Sequence, residues 1–149
     1  MTGPLALLAG LYVGVLVAAT WTDLRTRRIP NRLTLPALAG ALIVAAATGH
    51  LASALAGAVF AGGLFVLPAV LYGAGAAGGG DVKLAAFVGA ALGLSGAITA
   101  LLVTGIVGAL VVLVGVATSR LSRRQKVPFG PFIAVGGIVA MFAEMAPKA

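Results

Sequence analysis

Asp23 and Asp81 are two of only three acidic residues in a chain of 149, and the third is Glu144. Ionisable side chains in or beside a bilayer are costly, and where they occur they mark ion paths, proton relays or reacting groups. Two carboxylates can hydrolyse a peptide bond together: one, ionised, takes a proton from water, and its protonated partner hydrogen-bonds the scissile carbonyl. The competing hydrolytic chemistries lack their residues. Cysteine is absent, which excludes disulfides, thiolate zinc sites and cysteine nucleophiles. A single histidine, His50, cannot build an HExxH-type zinc site. No lysine lies deep in an apolar span to act as base for a serine. No metal or cofactor is expected.

The elements that must position the pair are apolar. Hydrophobic residues make up 61% of the chain and charged residues 9%, against about 25% charged in a soluble domain. A soluble fold of this size could not hide so much apolar surface. The expected class is all-α: a polytopic membrane bundle of about six helices forming a single domain, residues 1–149. The first ten residues, MTGPLALLAG, carry no basic charge, so the first span reads as retained rather than as a cleaved signal.

A spanning helix needs roughly 20 apolar residues. Spans are expected at about Pro4 to Trp21, Leu33 to Thr48, Leu51 to Tyr72, Val82 to Leu94, Ala97 to Thr118 and Phe129 to Ala146. The split inside 84–117 rests on Gly93-Leu94-Ser95-Gly96. Loops 23–32, 73–83 and 119–128 then share one side and hold nine of the ten basic residues, Lys148 being the exception. The positive-inside bias makes that side cytoplasmic and places both termini outside. Asp23 and Asp81 fall together on the cytoplasmic side, whereas His50 and Glu144 fall on the other. The formal charge of +7 is thereby a topology signal, with no nucleic-acid partner expected.

Each residue also has a plainer reading. Asp23 could be an interfacial residue paired with Arg25 or Arg27. Asp81 could be the N-cap of the helix after Gly78-Gly79-Gly80, since Asp is a favoured cap. Gly73 to Gly80 ends in Gly-Asp-Val-Lys rather than Gly-Lys-Ser/Thr, so it is no phosphate loop. Close backbone approach or simple loop flexibility remain. Lys83 reads as a snorkelling topology residue, and Ser119 to Lys126 as a solvated basic loop attracting anionic lipid. Asn31 could cap the second helix, and Pro131 suits a first helical turn. Gly10-xxx-Gly14 and Gly89-xxx-Gly93 read as helix-packing sites, and Tyr12, Trp21 and Tyr72 as packing or interface aromatics.

Three segments taken in order carry a resemblance. Asp23 followed by Ile29-Pro30-Asn31, then Gly78-Gly79-Gly80-Asp81-Val82-Lys83-Leu84, then Pro128-Phe129-Gly130-Pro131, resembles the type IV prepilin peptidases among the GxGD membrane aspartic proteases. The resemblance covers nearly the whole chain. It implies that Asp23 and Asp81 are the catalytic pair, with Pro30, Asn31, Gly78, Gly80, Lys83, Pro128, Phe129, Gly130 and Pro131 shaping or supporting the substrate cleft. It implies removal of the short basic leader of prepilin-like substrates at the cytoplasmic face of a bacterial or archaeal cytoplasmic membrane. Larger members add a cytoplasmic region, often with Cys-x-x-Cys zinc ligands, and methylate the new N-terminus. This cysteine-free chain resembles the peptidase-only form, and methylation is not expected of it. Two other classes stay open: a small transporter or proton-conducting bundle using the same aspartates, and a non-catalytic membrane subunit. Acids at helix ends favour the enzyme, because transport sites lie near mid-membrane.

Overall fold

The computed structural model describes residues 3–73, 78–119 and 127–146, with side chains from residue 6 onward. Five helices account for them: α1 (Gly3–Thr26), α2 (Asn31–Ala47), α3 (Leu51–Tyr72), α4 (Gly79–Ala117) and α5 (Gly130–Met145). No strand occurs among the described residues. Within α1 the stretch Ala6–Thr26, and the whole of α3 and α4, are long and apolar enough to cross a membrane; α2 and α5 are shorter apolar helices of 17 and 16 residues. The outer surface carries exposed Ile43, Val59, Val70 and Leu113, the inversion of polarity that a lipid environment requires. Residues 120–126 of the expected basic loop, residues 74–77 of the glycine stretch, and Lys148 lie outside the described residues.

The break expected inside 84–117 falls at Gly93, whose φ of 70° and ψ of −173° interrupt α4. Glycine takes this left-handed conformation without the Cβ penalty. A continuous helix would carry Asp81 and Gly105 roughly 36 Å apart at 1.5 Å per residue. Both instead line one cavity, so the two arms of α4 fold back beside each other at Gly93. Ser53 of α3 secures the corner: its Oγ accepts the Leu94 N–H at 3.3 Å.

Small residues set the packing, as they must where lipid supplies no hydrophobic drive between helices. Gly57 of α3 and Gly89 of α4 meet backbone to backbone, and a Cβ on either would run into the other chain segment. Ala61, Ala85 and Ala97 are buried at the same seam, with Phe65 and Leu101 against them. Gly136 of α5 nests on Ala100 and Thr104, and Gly137 on Tyr12, Leu16 and Val88. Thr104 Oγ1, buried, lies 2.7 Å from the Ala100 carbonyl and 3.2 Å from the Phe132 carbonyl, tying the second arm of α4 to α5.

One pair of expected packing glycines is corrected. Gly10 and Gly14 have open space where a Cβ would stand, while Gly89 does pack and Gly93 makes the corner against Ser53. Tyr12 is a packing aromatic, its ring 5.4 Å from Phe87, whereas Trp21 and Tyr72 are exposed.

Candidate active site

Asp23 stands in the last turn of α1 rather than in a loop. Hydropathy falls after Trp21, but the helix continues to Thr26. Its threonines satisfy local carbonyls: Thr22 Oγ1 lies 3.0 Å from those of Ala18 and Ala19, and Thr26 Oγ1 donates to Thr22 at 2.8 Å. Arg27, at φ 53°, turns the chain out of the helix. The Asp23 side chain is only 5% exposed. Its Oδ2 accepts the backbone N–H of Gly130 at 2.9 Å. Arg25 does not cover it; that guanidinium lies 4.1 Å from the Trp21 ring centroid.

The Gly130 bond explains why Pro128-Phe129-Gly130-Pro131 belongs to the site. The first N–H groups of a helix have no partner within it. Gly130 is the first residue of α5, and Phe129 before it gives no side-chain cap. Asp23 supplies the missing acceptor from another helix, at the end where the helix dipole favours an anion. A Cβ on residue 130 would stand 2.7 Å from Asp23 Oδ2, so only glycine permits this approach. Pro131 sits in the first turn as expected.

Asp81 is corrected in the same way. The N-cap of α4 is Gly78, without a side-chain cap bond, and Asp81 lies inside the first turn. Its carboxyl folds back over Gly78, where a Cβ would collide with Oδ2. A Cβ on Gly80 would come within 2.8 Å of Ile29 Cβ, whereas one on Gly79 would meet nothing. The pattern Gly-x-Gly-Asp thus has a local physical reason. Its first glycine clears the carboxyl, its middle position is free, and its second glycine admits the buried Ile29 of the first segment.

Asn31 is likewise not a cap. Pro30 holds the N-cap position of α2 at φ −73° and ψ 139°. The Asn31 side chain instead reaches across to α4, accepting Lys83 Nζ on Oδ1 at 2.7 Å. Lys83 is therefore a tie between the first two segments rather than a residue extended toward lipid headgroups. All three segments meet at one end of the bundle: the first to the second through Ile29–Gly80 and Asn31–Lys83, the first to the third through Asp23–Gly130. Asp23 bonds the Gly130 N–H, and Phe129 just before it shares a cavity wall with Asp81, so both aspartates border the third segment.

A cavity of about 290 Å³ adjoins Asp81, lined by Leu64, Phe65 and Pro68 of α3, Leu101, Thr104 and Gly105 of α4, and Phe129. Phe129 stands edge-on to Phe65, with ring centroids 6.0 Å apart, and to Phe132 at 5.5 Å. Gly78, Asp81 and Phe129 of this wall belong to the segments singled out in the sequence, but its α3 and second-arm residues carried no motif; their signals were Pro68 inside a helix and the small residues 104 and 105. No group of three or more potential metal-ligating side chains occurs among the described residues.

Comparison with known proteins points to a family. A model of the type IV leader peptidase family matches residues 10–113, which include both aspartates. A prepilin leader peptidase/N-methyltransferase of Bacillus subtilis is 36% identical over 135 residues, 89% of this chain and 54% of that protein. Proteins of the same description from Burkholderia pseudomallei and Dickeya chrysanthemi are 34% and 37% identical over 143 and 145 residues, covering 92% of this chain in each case and 46% and 51% of theirs. The chain spans about half the length of these curated relatives. No solved structure matches it. With its three segments gathered around two aspartates and the family model covering most of its length, this chain belongs to the type IV leader peptidase family.

Proposed function

We propose that this chain is a membrane aspartic endopeptidase that removes the short basic leader from type IV prepilin-like proteins at the cytoplasmic face of the membrane. The observation that carries the reading is the gathering of the three segments at one end of the bundle, with Asp23 bonded to Gly130 and Asp81 sharing a cavity wall with the adjacent Phe129. The relatives' names add the substrate class. The proposal is confined to the peptidase half of those names.

The chemistry follows from two neighbouring carboxyls that share one proton, since both ionise together only at a cost. The ionised member takes a proton from water as the oxygen attacks the scissile carbonyl. The protonated member hydrogen-bonds the carbonyl oxygen through the tetrahedral intermediate. As the C–N bond breaks, the proton passes to the leaving amine and the pair returns to its starting charge. Asp23 Oδ2 is held by Gly130, which fixes the carboxyl plane and leaves Oδ1 for water or the partner acid. The two arms of α4 count as separate crossings in this reading. That makes six spans, with both termini outside and the basic loops and aspartates at the cytoplasmic surface. Prepilin-like proteins and membrane lipids are the partners.

The test is processing of a prepilin by the purified chain in detergent or vesicles, read as leader removal on a gel and by mass of the product. Cleavage at one peptide bond near the start of the apolar helix is expected. An intact substrate, together with aspartate-dependent proton or cation flux into vesicles, would replace the peptidase by a transporter.

A further inference from the structure

We infer that Thr20 belongs to the active site: its hydroxyl and Asp23 Oδ1 hold one water molecule between them, and that water fixes the oxygen of Asp23 that Gly130 leaves free. The inference rests on the peptidase reading and adds to it a residue of α1 that positions the carboxyl.

Thr20 Oγ1 is buried and has no hydrogen-bond partner among the described residues. A helical threonine ordinarily avoids this state by turning its hydroxyl to the carbonyl one turn earlier. Every other described threonine, from Thr22 to Thr118, sets its Oγ1 within 3.5 Å of the carbonyl four residues before it. Thr20 alone among them turns away from its own, that of Leu16. A buried hydroxyl without a partner is costly, so this conformation calls for a polar group outside the helix backbone. The other unpartnered buried hydroxyl, Tyr12 Oη, packs against Gly137, about three turns from Asp23 along α1.

The polar group within reach is Asp23. It follows Thr20 by three residues, on the buried face of α1 that also carries Leu16 and Ala19. Helical side chains lean back over the turn before them, so the Asp23 carboxyl overhangs Thr20. Residues at this spacing have Cβ atoms about 5–6 Å apart. Two hydrogen bonds of about 2.8 Å meeting at a water span about 4.5 Å. The spacing therefore suits a bridged contact, and no direct bond joins the two side chains. Oδ2 is committed to the Gly130 N–H, which assigns the bridge to Oδ1. Ala19, fully buried one turn below Asp23, contributes only a methyl group there. Two polar partners suffice to retain a buried water, and such a bridge is nearly as favourable as a direct bond. With Oδ2 on Gly130 and Oδ1 on the bridge, both oxygens of the carboxyl are held.

The experiment compares the full unsubstituted chain with Thr20→Ser, Thr20→Val and Thr20→Ala on one prepilin substrate. It reads kcat, KM and thermal unfolding on the folded, monodisperse fraction in one detergent. Serine keeps the hydroxyl and loses the methyl; valine keeps the shape and loses the hydroxyl. In Thr20→Val and Thr20→Ala kcat falls about 10- to 100-fold, the equivalent of one hydrogen bond to a charged group. Thr20→Ser stays within about threefold of the unsubstituted rate, because it keeps that bond. KM is unchanged throughout, since Thr20 acts on Asp23 and not on the substrate. A packing role gives the opposite order, with valine equal to threonine and serine impaired, and overturns the inference. Thr20→Val with full kcat and a raised unfolding temperature also overturns it, by showing the hydroxyl to be a plain unsatisfied group. Failure of the unsubstituted chain to cleave any prepilin overturns the peptidase reading and this role with it, whereas cleavage that ignores the hydroxyl overturns the role of Thr20 alone.

Discussion

Replacing Gly130 by alanine isolates the contact that fixes Asp23. The added Cβ would stand 2.7 Å from Asp23 Oδ2, 3.1 Å from its Cβ and 3.2 Å from its Cγ. The first distance is below any real Cβ contact, so the carboxyl must move off the Gly130 N–H. The helix itself gains from the change, by about 0.5–1 kcal/mol, because glycine is the poorer helix former. Against this, a hydrogen bond to a charged group contributes about 1.5–3 kcal/mol, and Asp23 is 5% exposed with little water to replace it. The loss wins by about 0.5–2.5 kcal/mol. Activity should fall further than stability, since misplacing a reacting group by about 1 Å costs on the order of 100-fold. The assay is initial rate of leader removal beside a thermal unfolding curve in the same detergent. Wild-type processing by Gly130→Ala would refute the claim that this bond positions the aspartate.

Lys83→Met and Asn31→Ala should each slow cleavage several-fold and couple by about 0.5–1 kcal/mol in a double-mutant cycle, because the bond between them is exposed and only locks two segments together; independent effects would remove that tie. Gly89→Ala drives a methyl into the Gly57 carbonyl and should destabilise the bundle by about 1–3 kcal/mol, whereas Gly10→Ala, facing open space, should change it by less than about 0.5 kcal/mol; equal thermal shifts would contradict the α3–α4 seam. Tyr12 Oη is buried with no hydrogen-bond partner among the described residues. Tyr12→Phe should therefore raise stability by about 1 kcal/mol, and a drop would reveal a partner.

The three segments were legible in the sequence because each carries residues with unusual backbone or charge demands: Ile-Pro-Asn, Gly-x-Gly-Asp and Pro-Phe-Gly-Pro. Their order alone could not show how they join. The links are a backbone N–H at Gly130 and two inter-helix contacts to Gly80 and Lys83, and these depend on tertiary placement. Hydropathy put Asp23 and Asp81 in loops because polarity rises there. The helices nevertheless include both, since helical hydrogen bonding does not stop where lipid-like composition does. The reversal in α4 was readable from length, which demanded a break, and from Gly93, which supplied one. The cavity was not readable, since its wall comes from α3, both arms of α4 and the start of α5.

The central claim is that Asp23 and Asp81 together activate water. Its most direct test is the single-turnover rate of leader cleavage by purified Asp23→Asn and Asp81→Asn proteins, with substrate binding and thermal unfolding measured on the same samples. The account predicts that each variant stays folded and binds prepilin while cleavage falls by at least about 100-fold, the lower bound of general acid–base catalysis. Cleavage by either folded variant at a rate close to that of the unsubstituted protein would contradict it.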